Sequence, residues 1–199
     1  MSEAARWEER YRVGDTPWDT GQPATELRRF LVDEEPAPGR ALELGCGTGT
    51  NAVFLARQGF DVTALDVSPL AIERARARSL DEGVVVRFLV ANLLSPPDLG
   101  PPFPFVFDCG CYHAVRRSDP TGYVRTLQRV TAPGGLVLIL AGNARQQRDH
   151  GPPVVAEHDL RAELGRDFDI LSLEETHFDP TPTDRITFLA WRILLRKPA

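Results

Sequence analysis

Residues 41–51, Ala-Leu-Glu-Leu-Gly-Cys-Gly-Thr-Gly-Thr-Asn, carry an apolar strand pattern into three alternating glycines and then into a helical pattern. Without a Cβ, Gly45, Gly47 and Gly49 let the backbone turn at the strand end and approach a ligand closely. The spacing is G-x-G-x-G with an acid, Glu43, before it; the dinucleotide fingerprint, which seats a pyrophosphate on a helix N-terminus, is G-x-G-x-x-G. The loop therefore reads as a cradle for a cofactor without a phosphate. A second acid, Asp66, closes the short apolar run 61–66 at close to the roughly 20-residue distance at which such units place a ribose-binding carboxylate. Ser68 and Pro69 follow as an N-cap and a first-turn proline, starting a helix where a βαβ unit needs one.

At this point the chain resembles the class I S-adenosylmethionine-dependent methyltransferases, whose first motif is E/D-x-G-x-G-x-G. The resemblance implies that Gly45, Cys46, Gly47 and Gly49 shape the loop and that Glu43 orients the methionine ammonium. It further implies that Asp66 holds the ribose, Val67 packs on adenine, and Asn92, Leu93 and Asp108 complete the cofactor set. Asn92 stands where the family often has an acid; its amide oxygen can accept from the adenine amino group, or it is an ordinary loop asparagine.

The leader Trp7-Glu-Glu-Arg-Tyr11 followed by Gly14-Asp-Thr-Pro-Trp-Asp-Thr-Gly-Gln-Pro23 resembles the segment that crosses the active site as a lid in the thiopurine, thiol, halide and tellurite methyltransferase group. Trp18 is then expected over the sulfonium, with cation–π stabilisation and exclusion of water. Trp7 and Tyr11 either join it or pack an amphipathic helix on the core. Asp108-Cys-Gly-Cys-Tyr-His113 resembles the D-x-G-x-x-H segment of small-molecule members, and the D/N-P-P-Y motif of nucleobase enzymes is not there. Tyr112 and His113 are expected to face the acceptor. With an ordinary pKa near 6.5, His113 is the natural general base, or else it fixes its loop through a backbone hydrogen bond. The runs 152–161 and 168–174 are similar to small bacterial methyltransferases acting on quinone or phenolic hydroxyls, so the acceptor is a thiol or soft anion, or a phenolic oxygen.

The elements that must position these residues alternate along the chain, as in a parallel sheet covered on both faces. Strands are predicted near 40–45, 61–66, 84–90, 104–109, 134–141, 168–174 and 186–195, with helices near 23–33, 50–59, 69–80, 120–131 and 157–164. Pro133-Gly134-Gly135 reads as a break before the fifth strand, and residues 175–185 as a loop or hairpin. The fold class is α/β, a Rossmann-like doubly wound seven-stranded sheet, mostly parallel; an antiparallel last strand is implied by the resemblance. One domain is expected over 1–199, with an N-terminal lid and helix in 1–35 and a cofactor-binding core in 36–199.

At 42% hydrophobic residues and a net charge of −5 the chain supports one two-sided core and no nucleic-acid surface. Arg74, Arg76 and Arg78 read as a solvated helix face. No signal-peptide core and no run of 18 apolar residues is present, which points to the cytoplasm, no membrane partner, and a monomer or homodimer. Cys46, Cys109 and Cys111 read as reduced core thiols; a soft metalloid held between them is the less ordinary alternative, and no metal is expected. His150 and His158 read as solvated loop residues. A noncatalytic S-adenosylmethionine-binding module and a nicotinamide oxidoreductase remain as other classes.

Overall fold

The computed structural model describes residues 2–146, 150–180 and 187–199. In chain order the elements are α1 (Glu3–Val13), α2 (Thr25–Asp33), β1 (Arg40–Leu44), α3 (Thr50–Arg57), β2 (Asp61–Asp66), α4 (Pro69–Asp81), β3 (Arg87–Val90), β4 (Phe103–Cys109), α5 (Tyr112–Val115), α6 (Pro120–Val130), β5 (Thr131–Asn143), β6 (Val154–Val155), α7 (Glu157–Leu164), β7 (Asp169–His177) and β8 (Leu189–Arg196). The main sheet runs β3-β2-β1-β4-β5-β8-β7, with β6 paired to the end of β5. β1 to β5 are parallel, and β8 runs antiparallel to both β5 and β7, so the last strand alone is reversed along this path.

The strands sort their side chains by the two-residue period. Leu42, Leu44 and Val106 face a core built with Tyr112 of α5, Tyr123 and Leu127 of α6, and Leu160 and Leu164 of α7. Ala41, Phe105 and Phe107 face the other core, built with Leu27 and Phe30 of α2, Val53 and Leu55 of α3, and Ile72 of α4. There the rings of Phe30 and Phe105 stack 4.5 Å apart. Phe103 lies in the first core although it is two residues from Phe105, because the pairing of β4 with β5 shifts register between them.

Ser68 caps α4 by accepting from Ala71 N–H at 3.1 Å, and Asp119 caps α6 by accepting from Gly122 N–H at 2.7 Å. Each is followed by proline at the first helical position, as expected. Residues 3–13 form a helix, the alternative offered for Trp7 and Tyr11, with Ser2 as its cap and Gly14 in the left-handed region at φ 76° as its stop. Other details depart from the sequence expectation, beginning with the short helix α5 after β4. The short β6 adds an eighth strand among the described residues. Pro133-Gly134-Gly135 lies inside β5: Gly134 N–H donates to Lys197 O and Lys197 N–H to Gly135 O, each at 2.9 Å, so pairing with the chain end carries the strand through the irregularity. β7 runs on to His177, and the remainder of the expected 175–185 loop, like the first residue of the expected last strand, falls partly outside the described residues. No described helix is long and apolar enough to cross a membrane.

A buried ion pair docks α2 on the antiparallel edge. Arg192 of β8, 2% exposed, lies 3.2 Å from the Glu26 carboxylate, 7% exposed; Thr176 and Ser172 of β7 bond the pair, and the more exposed Arg29 and Glu174 flank it at 3.5 and 3.7 Å. Removing one partner strands the other charge in low dielectric. Arg192→Met is therefore expected to lower unfolding free energy by about 3 kcal/mol in urea titration, while the double variant Glu26→Leu/Arg192→Met returns most of it. Losses in Glu26→Leu and Arg192→Met that simply add in the double variant would show that the pair has no coupling.

Candidate active site at the strand ends

Three acids stand at the carboxyl ends of three neighbouring strands: Glu43 on β1, Asp66 on β2 and Asp108 on β4. The strand order reverses between β1 and β4, which is where open α/β sheets bind ligands.

Gly45, Gly47 and Gly49 all have positive φ, at 65°, 53° and 80°. Each also lacks room for a side chain. A Cβ on Gly45 would sit 2.6 Å from Cys111 Sγ, one on Gly47 2.9 Å from the Tyr11 hydroxyl, and one on Gly49 2.8 Å from Ala75 Cβ. The loop is thus enclosed by the turn after β4, by α1 and by α4. Asp66 holds it in place: Oδ2 accepts from Gly47 N–H and Oδ1 from Ser68 N–H, each at 2.9 Å. Burial raises the Asp66 pKa, and these backbone donors oppose the rise. Val67 is half-buried between the two anchors.

Glu43 is 2% exposed; Oε1 accepts from Asn51 Nδ2 at 3.2 Å and Oε2 has no hydrogen-bond partner. Burial pushes its pKa up to about 8. A buried carboxyl with a free oxygen beside a glycine loop fits a cationic group such as an ammonium, which would hold it ionised. S-adenosylmethionine, an ammonium-bearing cofactor without phosphate, fits this donor and acceptor set.

The N-terminal segment covers the loop. Tyr11 is 3% exposed, and its hydroxyl accepts from Trp18 Nε1–H at 3.2 Å. Trp18 meets Trp7 and Tyr11 edge-on, with ring centroids 5.2 and 5.8 Å apart, and the Arg10 guanidinium lies 4.2 Å from its own centroid. The cation on the Trp18 face is therefore Arg10. Glu8 accepts from Ser68 Oγ and Leu70 N–H at the start of α4, and Thr48 Oγ1 donates to Asp19 at 2.8 Å. Arg74 donates to Tyr11 O at 3.0 Å, Arg76 to Phe88 O at 3.1 Å and Arg78 to Thr48 O at 3.0 Å, so Arg74 and Arg76, exposed as expected, and the half-buried Arg78 also clamp neighbouring backbone.

The segment after β4 differs most from expectation. Asp108, fully buried, accepts from Cys111 N–H at 2.8 Å, Tyr112 N–H at 3.0 Å and the Tyr123 hydroxyl at 2.7 Å; these bonds use the carboxylate to fasten the turn, not to meet a cofactor. Burial raises it to about 6. Tyr112 points away from the strand ends into the core, donating its hydroxyl to Glu163 at 2.6 Å, and so does not face an acceptor. His113 accepts from Gly142 N–H on Nδ1 at 2.9 Å, which places its proton on Nε2. Burial lowers its pKa to about 4. The lone pair a general base needs is already engaged, and the loop-fixing alternative is the one the geometry supports.

Leu93 packs in the core and not toward the strand ends, and Asn92 Oδ1 accepts from Leu94 N–H at 2.9 Å in a local turn. Cys46 is buried, Cys109 and Cys111 half-buried, and burial pushes all three thiols above their ordinary value, which disfavours the thiolates a metalloid would need. Among the described residues no group of three or more His, Cys, Asp or Glu could hold a metal ion. His158 is exposed beside Asp159, and His150, also exposed, packs edge-on against Phe188 at 6.0 Å. Sequence reasoning passed over Thr48, Asn51, Asp19 and Glu8; only Thr48 and Asn51, flanking the last glycine, carried a positional signal.

An unfolded imidazole takes a proton near 6.5 and buried His113 only near 4, so the unfolded state binds more protons between those values. This group therefore leaves stability unchanged above that window and removes it as pH falls through it, at up to about 1.4 kcal/mol per unit. His113→Asn, which keeps an acceptor for Gly142, is expected to flatten that part of the stability profile. An unchanged slope would show that His113 is not buried neutral.

The sequence model for thiopurine S-methyltransferase (TPMT) matches residues 2–188. The chain is 30% identical over 148 residues to the 2-heptyl-1-hydroxyquinolin-4(1H)-one methyltransferase of Mycobacteroides abscessus, covering 73% of this chain and 65% of that protein. It is 30% identical over 185 residues to thiocyanate methyltransferase 1 of Brassica oleracea, covering 88% and 79%. A solved structure concerned with conversion of a disulfide bond into a thioacetal group during echinomycin biosynthesis superposes with a TM-score of 0.79 at 28% identity, covering 92% of this chain and 84% of that one. The chain thus spans just under two thirds of the length of the hydroxyquinolone relative. On the extent of the family match and the geometry it falls on, the chain belongs to the thiopurine S-methyltransferase family.

Proposed function

We propose that the chain is an S-adenosylmethionine-dependent methyltransferase acting on a small-molecule acceptor. The observation that carries the reading is the buried Glu43 with its free Oε2, set beside a three-glycine loop against which the Tyr11 hydroxyl of α1 lies. When bound, the cofactor supplies a methyl group on a positively charged sulfur, already activated for in-line attack. The chain's own residues bind, orient and exclude water. Glu43 takes the ammonium end; Gly45, Cys46, Gly47 and Gly49 give the backbone cradle; Asp66 fixes that cradle and offers its remaining lone pairs to the ribose. Val67 and Asn92 border the adenine, and Trp18 closes the lid. Alignment of this kind can be worth roughly 7–11 kcal/mol.

The turn after β4 favours one acceptor class. Asp108 is saturated, Tyr112 faces the core, His113 has its basic nitrogen engaged, and the nearby thiols are protonated. An acceptor that reaches the site already ionised, a thiolate or other soft anion, needs no proton removed. A phenolic or quinone hydroxyl is the second reading, supported by the hydroxyquinolone relative. The free thiols support a reducing, cytoplasmic setting.

The test is release of S-adenosylhomocysteine across thiols, thiocyanate, tellurite, halides and hydroxyquinolones. Turnover on soft anions is expected, with a pH profile that follows the acceptor's own ionisation. A protein limb at pH 6–7 that His113→Asn abolishes would reinstate the base. Binding without turnover would leave a noncatalytic module, and nicotinamide binding in its place an oxidoreductase. Glu43→Gln is expected to weaken S-adenosylmethionine binding about tenfold or more in calorimetry.

A further inference from the structure

Asn51, in the first turn of α3, faces two ways. Its Oδ1 accepts from Ala24 N–H at 2.9 Å, and its Nδ2 donates to Glu43 Oε1 at 3.2 Å. The amide has one orientation compatible with both neighbours, because a backbone N–H can only meet the oxygen, which leaves the NH₂ for the carboxyl. Ala24 is where the covering segment passes into α2, and it caps that helix without a side-chain hydrogen bond. The anchor for this junction therefore comes from another element. The same segment is tied a few residues earlier by Thr48 to Asp19, on the same loop.

We propose that Asn51 is a positioning residue that couples occupancy of the glycine loop to closure of residues 14–24 over it. The inference rests on the reading of the site as an S-adenosylmethionine cradle. An ammonium beside Glu43 favours the ionised carboxylate, and an ionised acceptor makes a hydrogen bond roughly twice as strong as a neutral one. The strengthened bond fixes the Asn51 amide, and the fixed amide holds Ala24 N–H. Burial, aided by the neighbouring Asp66 and Asp108 and opposed by the donors Asn51 and Ala52 N–H, keeps Glu43 a weaker acceptor before the cation arrives. By linkage the effect is reciprocal, so a segment held shut also tightens the hold on the cofactor.

Hydrogen exchange of the full chain, with and without saturating S-adenosylmethionine, tests this. In the wild type the cofactor is expected to slow exchange in residues 14–27 roughly tenfold. Asn51→Leu cuts the relay at its centre. Ala24→Pro cuts it at the segment end, replacing the N–H by a ring carbon that cannot donate to Asn51, at φ −53°, which proline adopts. Both variants are expected to bind the cofactor about tenfold more weakly and to lose the cofactor-induced slowing, while exchange in β1, β4 and β5 stays as in the wild type. If Ala24→Pro retains the full slowing, the inference falls, whatever Asn51→Leu does to folding. If the wild type binds no S-adenosylmethionine, the cradle reading falls and takes the inference with it; binding with slowing intact in both variants removes the inference alone.

Discussion

The two hydrogen bonds accepted by Asp66 are the constraint on which the site depends. They join the loop after β1 to the turn after β2, through Gly47 N–H and Ser68 N–H, and together with the bond from Cys46 N–H to Leu65 O at 2.8 Å they fix the distance between the two strand ends. A loop of three residues at positive φ is costly to order. Anchored by a buried carboxylate it becomes a fixed surface, against which Tyr11, Ala75 and Cys111 all pack. Removal of Asp66 would loosen that surface as well as any ligand contact, because two buried N–H groups would lose their acceptor.

The N-terminal segment belongs to the same construction. Asp19 reaches the loop at Thr48, the Tyr11 hydroxyl lies against Gly47, and Glu8 reaches the start of α4, while Arg74 and Arg78 return bonds from α4 to α1 and to Thr48. Farther along, Glu26 and Arg192 fasten α2 to the antiparallel edge. The lid is thus hinged to a rigid part of the fold on one side and laid on the glycine loop on the other.

Much of this was legible from local chemistry. The strand–glycine–helix transition at 41–51, the caps Ser68 and Asp119, and the acids Glu43 and Asp66 announce themselves because their jobs are set by neighbours in the chain. The antiparallel last strand came from resemblance, not from periodicity. The roles of Asp108 and Tyr112 were not legible, and that of His113 was legible only as one of two alternatives, since sequence adjacency to a strand end does not say which way a side chain turns. Tyr112 turns to Glu163 on α7, and His113 to Gly142 on β5, partners far away in the chain. The helix at 3–13 stood only as an alternative for Trp7 and Tyr11, because few of its residues are buried, Tyr11 being the one that is.

The contact between Gly45 and Cys111 has a consequence for how this chain can vary. The thiol lies where any side chain on residue 45 would stand, so the two positions share one small volume. A larger residue at 45 requires a smaller one at 111 and a relaxed backbone angle besides. In descendants of this sequence the two sites would drift as one character, and the width of the gap between β1 and β4 would be inherited through the pair instead of through either residue.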